Sequence, residues 1–76
     1  TNTGKKIAIE IVRKHRLWET FLYKNLKFKD SEVHVIAEQL EHIVSKVLID
    51  RMDEYLGYPK KDPHGDSIPD KRGKFR

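Results

Sequence analysis

Apolar residues in the first third of the chain recur at the period of a helix. From Lys5 to about Asn25, the residues Ile7, Ala8, Ile11, Val12, Trp18, Leu22 and Leu26 fall on one broad face. His15 lies at the centre of that face, and Glu19 follows one turn later. A polar pair inside an apolar stripe costs stability unless something satisfies it. Leu17 and Phe21 point off the main stripe and form a second apolar patch, suited to packing against another subunit. Arg13, Lys14 and Arg16 occupy the opposite side, which reads as a solvated face.

Thr1-Asn2-Thr3-Gly4 reads as a turn-like lead-in, and residues 27–29 as a short connection to a second helix over about Ser31–Val44. Asp30 or Ser31 can cap its start. Its apolar seam is Val33, Ala37, Leu40 and Val44, continuing to Leu48. Ser45 reads as a break and a new cap, followed by a third helix over about Lys46–Leu56. Its inner positions are Leu48, Ile49, Met52, Tyr55 and Leu56. Gly57 closes that helix and Pro59 prevents its continuation. Beyond Tyr58 the composition turns to Pro, Gly, Asp and Lys. Asp62-Pro63-His64-Gly65-Asp66 reads as a tight turn, Asp70 to Arg76 as a flexible link or extended arm, and no internal repeat is visible. The pattern predicts an all-α fold of one long and two shorter helices with an irregular C-terminal tail.

The second helix also carries the most informative chemistry. Beside its seam His34, Glu38 and Glu41 lie almost on one line, with His42 at the margin. Helix geometry alone converges these imidazoles and carboxylates. Nitrogen and carboxylate oxygen together suit manganese, ferrous iron or zinc. If the first two helices pack antiparallel through their apolar faces, His15 and Glu19 meet this group. A plain solvated flank is the competing reading for the charged positions. His64, between a proline and a glycine, reads as a turn-packing residue rather than a ligand.

Size sharpens the case for a metal or a partner subunit. A chain of 76 residues with 37% apolar residues buries a small core and is marginal alone. With no cysteine, disulfides and thiolate sites are both excluded. The net charge of +4 suits an acidic partner, but the basic residues are scattered among acids and form no single stripe. No apolar run approaches a membrane span and no signal peptide is present, so the expectation is a cytoplasmic protein. An opening Thr1 in place of Met fits a processed or excised piece.

Five segments occur here in a characteristic order and spacing: His15-Arg16-Leu17-Trp18-Glu19, Glu32-Val33-His34, Ala37-Glu38-Gln39-Leu40-Glu41-His42, Asp53-Glu54-Tyr55-Leu56-Gly57-Tyr58-Pro59 and Asp62-Pro63-His64-Gly65. Together they resemble the diphtheria toxin repressor and manganese transport regulator family of metal-dependent transcriptional repressors, over nearly the whole chain. The resemblance implies a homodimer whose winged helix-turn-helix, absent here, binds DNA. It makes residues 1–4 the end of the DNA-binding wing, 5–58 the helical dimerisation and metal-binding domain, and 59–76 a turn and linker tail. It also implies metal ligands at His15, Glu38, Glu41 and His42, with Glu19 and His34 as an ancillary pair used in the iron branch. Glu38 stands where that branch usually has cysteine, which favours Mn2+ over Fe2+, with Zn2+ a possible substitute.

Two departures from the family pattern stand out. The ligands expected from the DNA-binding domain are not in this chain, so the site needs water or another molecule to complete it. Val35, Ile36 and the pair Lys46-Val47 replace positions that are often acidic, which removes charge near the site and at the start of the third helix. Two other classes compete with the repressor domain. One is a helical module whose His and Glu residues make only salt bridges. The other is a di-metal carboxylate enzyme, disfavoured because Leu22 follows Glu19, and Glu41 follows Glu38, where Glu-x-x-His pairs would need histidine.

Overall fold

The computed structural model describes residues 2–40, 42 and 45–76, and within these it holds three helices, α1 (Asn2–Asn25), α2 (Asp30–Leu40) and α3 (Lys46–Tyr55). α1 begins earlier than the expected Lys5, because a first-turn glycine costs only about 1 kcal/mol relative to alanine and cannot stop a 24-residue segment. It ends where Lys27 adopts a left-handed φ of 60°, which lets the Phe28 N–H reach the Leu22 carbonyl at 3.2 Å. α2 is capped by neither Asp30 nor Ser31 side chains; the Glu32 carboxylate reaches back to accept from the Lys29 N–H at 3.2 Å. α3 follows expectation at its ends, but two of its expected inner positions, Leu48 and Tyr55, are exposed because no element of the chain covers that side among the described residues. Ser45 Oγ accepts from the Leu48 N–H, and Gly57, at φ 78°, sets up the closing pair of bonds from the Gly57 and Tyr58 N–H groups to the Glu54 and Asp53 carbonyls. The expected end of α2, at Val44, lies outside the described residues.

Two apolar clusters form the core, and Trp18 touches both. Leu22, Val33 and Ala37 join α1 to α2. Leu17, Ile49, Met52 and Ile68 join α1 to α3 and the tail. This corrects the reading of α1. Leu17 is fully buried in the core rather than off the main stripe, while Ile7 and Ile11 are 54% and 40% exposed. The reason is length: helices of 11 and 10 residues cover only part of a helix of 24, so among the described residues the N-terminal part of its apolar stripe is only partly covered.

The tail is not a free link. Ile68 is completely buried, and Pro69 beside it is almost so. On either side of them the same small turn is built twice. Asp62 Oδ1 accepts from the His64 and Asp66 N–H groups, and Asp70 Oδ1 accepts from those of Arg72 and Lys74. Isolated antiparallel bridges, Lys61 with Ser67 and Pro69 with Phe75, close the two turns.

A buried ionic knot fastens the end. Asp53, 2% exposed, accepts from Arg13 at 3.0 Å and takes a bidentate pair from Arg76 at 2.8 and 2.6 Å. Arg76 also donates to the Pro59 carbonyl. Arg13 is therefore a buried anchor and not part of a solvated face. Among the described residues no helix is long and apolar enough to cross a membrane.

Candidate metal centre

α1 and α2, joined by residues 26–29, bring their polar groups together beside the Leu22–Val33–Ala37 cluster, as the seams predicted. His15 and Glu19 stand one turn apart on α1, and His34 faces them from α2. Their geometry is tight: Glu19 Oε2 lies 3.5 Å from His15 Nε2 and 3.6 Å from His34 Nδ1, and the two imidazoles meet edge to face at 5.0 Å. His34 Nε2 faces Glu38 Oε1 at 3.5 Å on its other side, so this one ring joins the inner group to the outer carboxylate. Two close ligand triads form among the described residues, and the exposed Glu38 belongs to neither. His42 is likewise in neither triad; it sits exposed in the turn after α2. Glu41 lies outside the described residues.

The structure adds two donors, His64, which the sequence reading set aside, and Asp62, which it read only as part of a turn. His64 Nδ1 is 3.5 Å from the same Glu19 Oε2, and Asp62 completes a second triad with Glu19 and His64. In each triad, His15–Glu19–His34 and Glu19–Asp62–His64, the ligand atoms lie within 4.8 Å of one another. Glu19 is common to both. All five side chains line one cavity of about 450 Å³, together with Arg16 and Asp66. The turn explains the placement. Asp62 spends Oδ1 on the N–H groups of residues 64 and 66, which folds the loop back and aims His64 at α1. Ile68, sunk into the core a few residues later, and Arg16, whose guanidinium donates to the Ser67 carbonyl, hold the turn there. The available sequence signal was an acid two residues before His64, facing a histidine-and-glutamate pair that already needed a partner.

The electrostatics of the group call for a cation. Burial pushes the Glu19 carboxyl above its ordinary value. His15 and His64 pull it down, and the neighbouring Asp62 pushes it up again. Asp62 Oδ2 is buried without a hydrogen-bond partner. Two adjacent buried carboxylates, one with an orphaned oxygen, are costly without positive charge between them. Three imidazoles and two carboxylates without sulfur fit a divalent ion such as Mn2+, Fe2+ or Zn2+. The residues present fit a metal.

Comparison with known proteins shows the family. The family model described as "Iron dependent repressor, metal binding and dimerisation domain" matches residues 1–70. The iron-dependent repressor IdeR of Mycobacterium tuberculosis is 36% identical over 69 residues, which is 91% of this chain and 30% of IdeR. A protein of Chlamydia trachomatis named "Probable metal transport system membrane protein" is 41% identical over 91% of this chain and 15% of its own length. Among solved structures, a manganese-dependent transcriptional repressor in complex with manganese superposes with a TM-score of 0.94 at 49% identity, over 100% of this chain and 36% of that one. The chain thus spans about a third or less of these relatives. It belongs to the family of iron-dependent repressor metal-binding and dimerisation domains.

Proposed function

We propose that this chain is the dimerisation and metal-sensing core of a metal-dependent transcriptional repressor, with manganese as its ion and ferrous iron next in preference. The observation that carries the reading is the sharing of Glu19 by two ligand triads from three separate parts of the chain. His15 and Glu19 of α1, His34 of α2, and Asp62 and His64 of the tail would hold the ion. When bound, it supplies the positive charge that buried Glu19 and Asp62 lack. The protein's own contribution is to keep these groups close before binding, which ties α1, α2 and the tail into one unit.

Glu38, Glu41 and His42 remain in the proposal as a second ligand group, to be completed by the DNA-binding domain of a longer protein. DNA would be read there, by a winged helix-turn-helix outside this chain. Metal then favours the DNA-competent arrangement to the extent that it binds that arrangement more tightly. The oxygen-and-nitrogen donor set supports manganese. So does the likeness, at 49% identity, to a repressor solved in complex with that ion.

Homodimerisation has its own support. An apolar groove of about 850 Å³ runs between α1 and α3, lined by Trp18, Phe21, Leu26, Leu48, Met52 and Tyr55. Tyr55 is 71% exposed and Leu26 53%. A second copy would cover this face, in a family whose description includes dimerisation.

The test is sedimentation velocity and a thermal melt of the same samples, with and without Mn2+. A dimer whose melting temperature rises with Mn2+ is expected, with the rise lost in Glu19→Gln and reduced in His64→Ala. Glu41→Ala or His42→Ala should also remove the response while leaving the dimer intact, and a response that survives both changes would remove the second group from the site. A dimer indifferent to every divalent ion would leave only the structural role, with the His and Glu residues making salt bridges. A monomer would remove the central statement.

A further inference from the structure

Basic residues that the sequence scatters over three segments come together in the folded chain. Lys6 and Arg13 of α1, Lys46 at the start of α3, and Lys71 and Arg72 of the second tail turn line one groove of about 350 Å³. Against these five cations the groove holds two carboxylates, Glu10 and Asp70. Both are engaged: Glu10 faces Lys46 at 3.5 Å, and Asp70 accepts the N–H groups of its own turn. Among the described residues, Lys6, Lys71 and Arg72 have no carboxylate within ion-pair distance. Arg13, 7% exposed, lies in the floor with its charge already paired to Asp50 and Asp53, so Lys6, Lys71 and Arg72 carry the free positive charge of the groove. The floor is held rigid by the Asp53 knot on one side. On the other, Gly73, at φ 84°, lies so close to Ile9 that a Cβ there would come within 3.3 Å of its side chain. Ile9 and Gly73 apart, the residues that line it carry charged side chains. That favours a charged strand over a lipid surface, which would want exposed apolar side chains among the cations.

We propose that this groove is a contact surface for the phosphodiester backbone of duplex DNA, independent of base sequence. The choice of DNA as the polyanion rests on the repressor reading above. Lysine and arginine on phosphate oxygens position a protein on DNA without carrying sequence information. Such a surface would add affinity beside a separate reading domain, and would do so in a salt-dependent way.

The experiment is fluorescence anisotropy of a labelled duplex of arbitrary sequence, titrated with this chain across a series of KCl concentrations. Contacts from Lys6, Lys71 and Arg72 should give a slope of log affinity on log salt of about −3. Lys71→Glu with Arg72→Glu should weaken binding at least tenfold and bring the slope to about −1. Lys24→Glu with Lys27→Glu makes the same change in net charge, with Lys24 about 27 Å further along α1 than Lys6, and should leave both quantities nearly unchanged. Equal losses in the two double variants would overturn the proposal, because net charge alone would then be acting. Absence of binding at low salt would overturn it too, as would binding to phosphatidylglycerol vesicles in place of duplex. A Mn2+ melt of the Lys71→Glu, Arg72→Glu variant separates the two ideas. A retained metal response with lost DNA binding is the expected pattern. DNA binding by a wild-type chain that ignores every metal would sink the sensor and leave the surface standing.

Discussion

Ile68→Ala tests whether the tail is part of the domain that holds the proposed metal ligands. Ile68 is completely buried against Leu17, Ile49 and Met52, although it belongs to no helix or strand. Cutting such a side chain to alanine removes its burial and leaves a cavity, at a cost of about 2–5 kcal/mol. A domain of this length holds roughly 4–11 kcal/mol in all, so the variant loses a large fraction of its stability. Each kcal/mol moves the melting temperature of so small a domain by about 4–8 °C, and a loss near 3 kcal/mol therefore lowers it by about 12–24 °C. Urea denaturation followed by far-UV circular dichroism gives the free energy directly. Ile68→Val should cost only about 0.5–1.5 kcal/mol, which keeps a folded sample available. Val35→Ala, at a side chain 55% exposed, should cost well under 1 kcal/mol. The Mn2+ response should fall in Ile68→Ala even below its melting range, because the turn bearing Asp62 and His64 loses its anchor. An Ile68→Ala variant no less stable than Val35→Ala would refute the reasoning, since the tail would then not be docked in solution.

Glu19→Gln should raise the melting temperature of the metal-free protein near neutral pH and abolish its metal response. The Glu19 carboxyl is held above its unfolded value mainly by burial. The stability it contributes is accordingly present below the ordinary glutamate range and lost as pH rises through the folded value. In a pH series of melts, the wild type should therefore lose stability relative to Glu19→Gln as pH rises from 4.5 towards neutrality. A constant difference across that window would count against the burial argument. Asp53→Ala leaves the buried Arg13 only its ion pair with the half-exposed Asp50 and releases Arg76, and should cost up to about 3–5 kcal/mol in a denaturant melt; Arg76→Ala should cost less, because Asp53 then keeps its bond to Arg13. Tyr55→Asp, on the exposed apolar groove, should weaken dimerisation by about thirtyfold or more by analytical ultracentrifugation. The same change should scarcely alter unfolding of the monomer, and a fully dimeric variant would place the interface elsewhere.

Local rules carried the sequence reading a long way. Periodicity located three helices, and Ser45 and Gly57 marked the two ends of α3, because caps depend on a few neighbouring residues. The meeting of His15, Glu19 and His34 was legible for a related reason. A buried polar pair on one helix and a histidine flanking the apolar seam of the next must meet once those seams pack. Periodicity gave no information on which part of a long stripe would be covered. Ile11 reads as core and Leu17 as off the stripe, yet Ile11 is 40% exposed while Leu17 is fully buried against Ile49, Met52 and Ile68.

What only the tertiary structure decided lies in the last third of the chain. Asp62, His64, Ile68 and Arg76 sit in a segment with no periodicity, where composition signals a loop and nothing more. Their partners, Glu19, Leu17 and Asp53, are separated from them by tens of residues. The burial of one isoleucine and the bidentate pairing of one arginine turn that loop into a wall of the cavity. Short-range preferences determine where helices begin and end. The ligand set depends on which distant side chains share a buried space, and that is a property of packing.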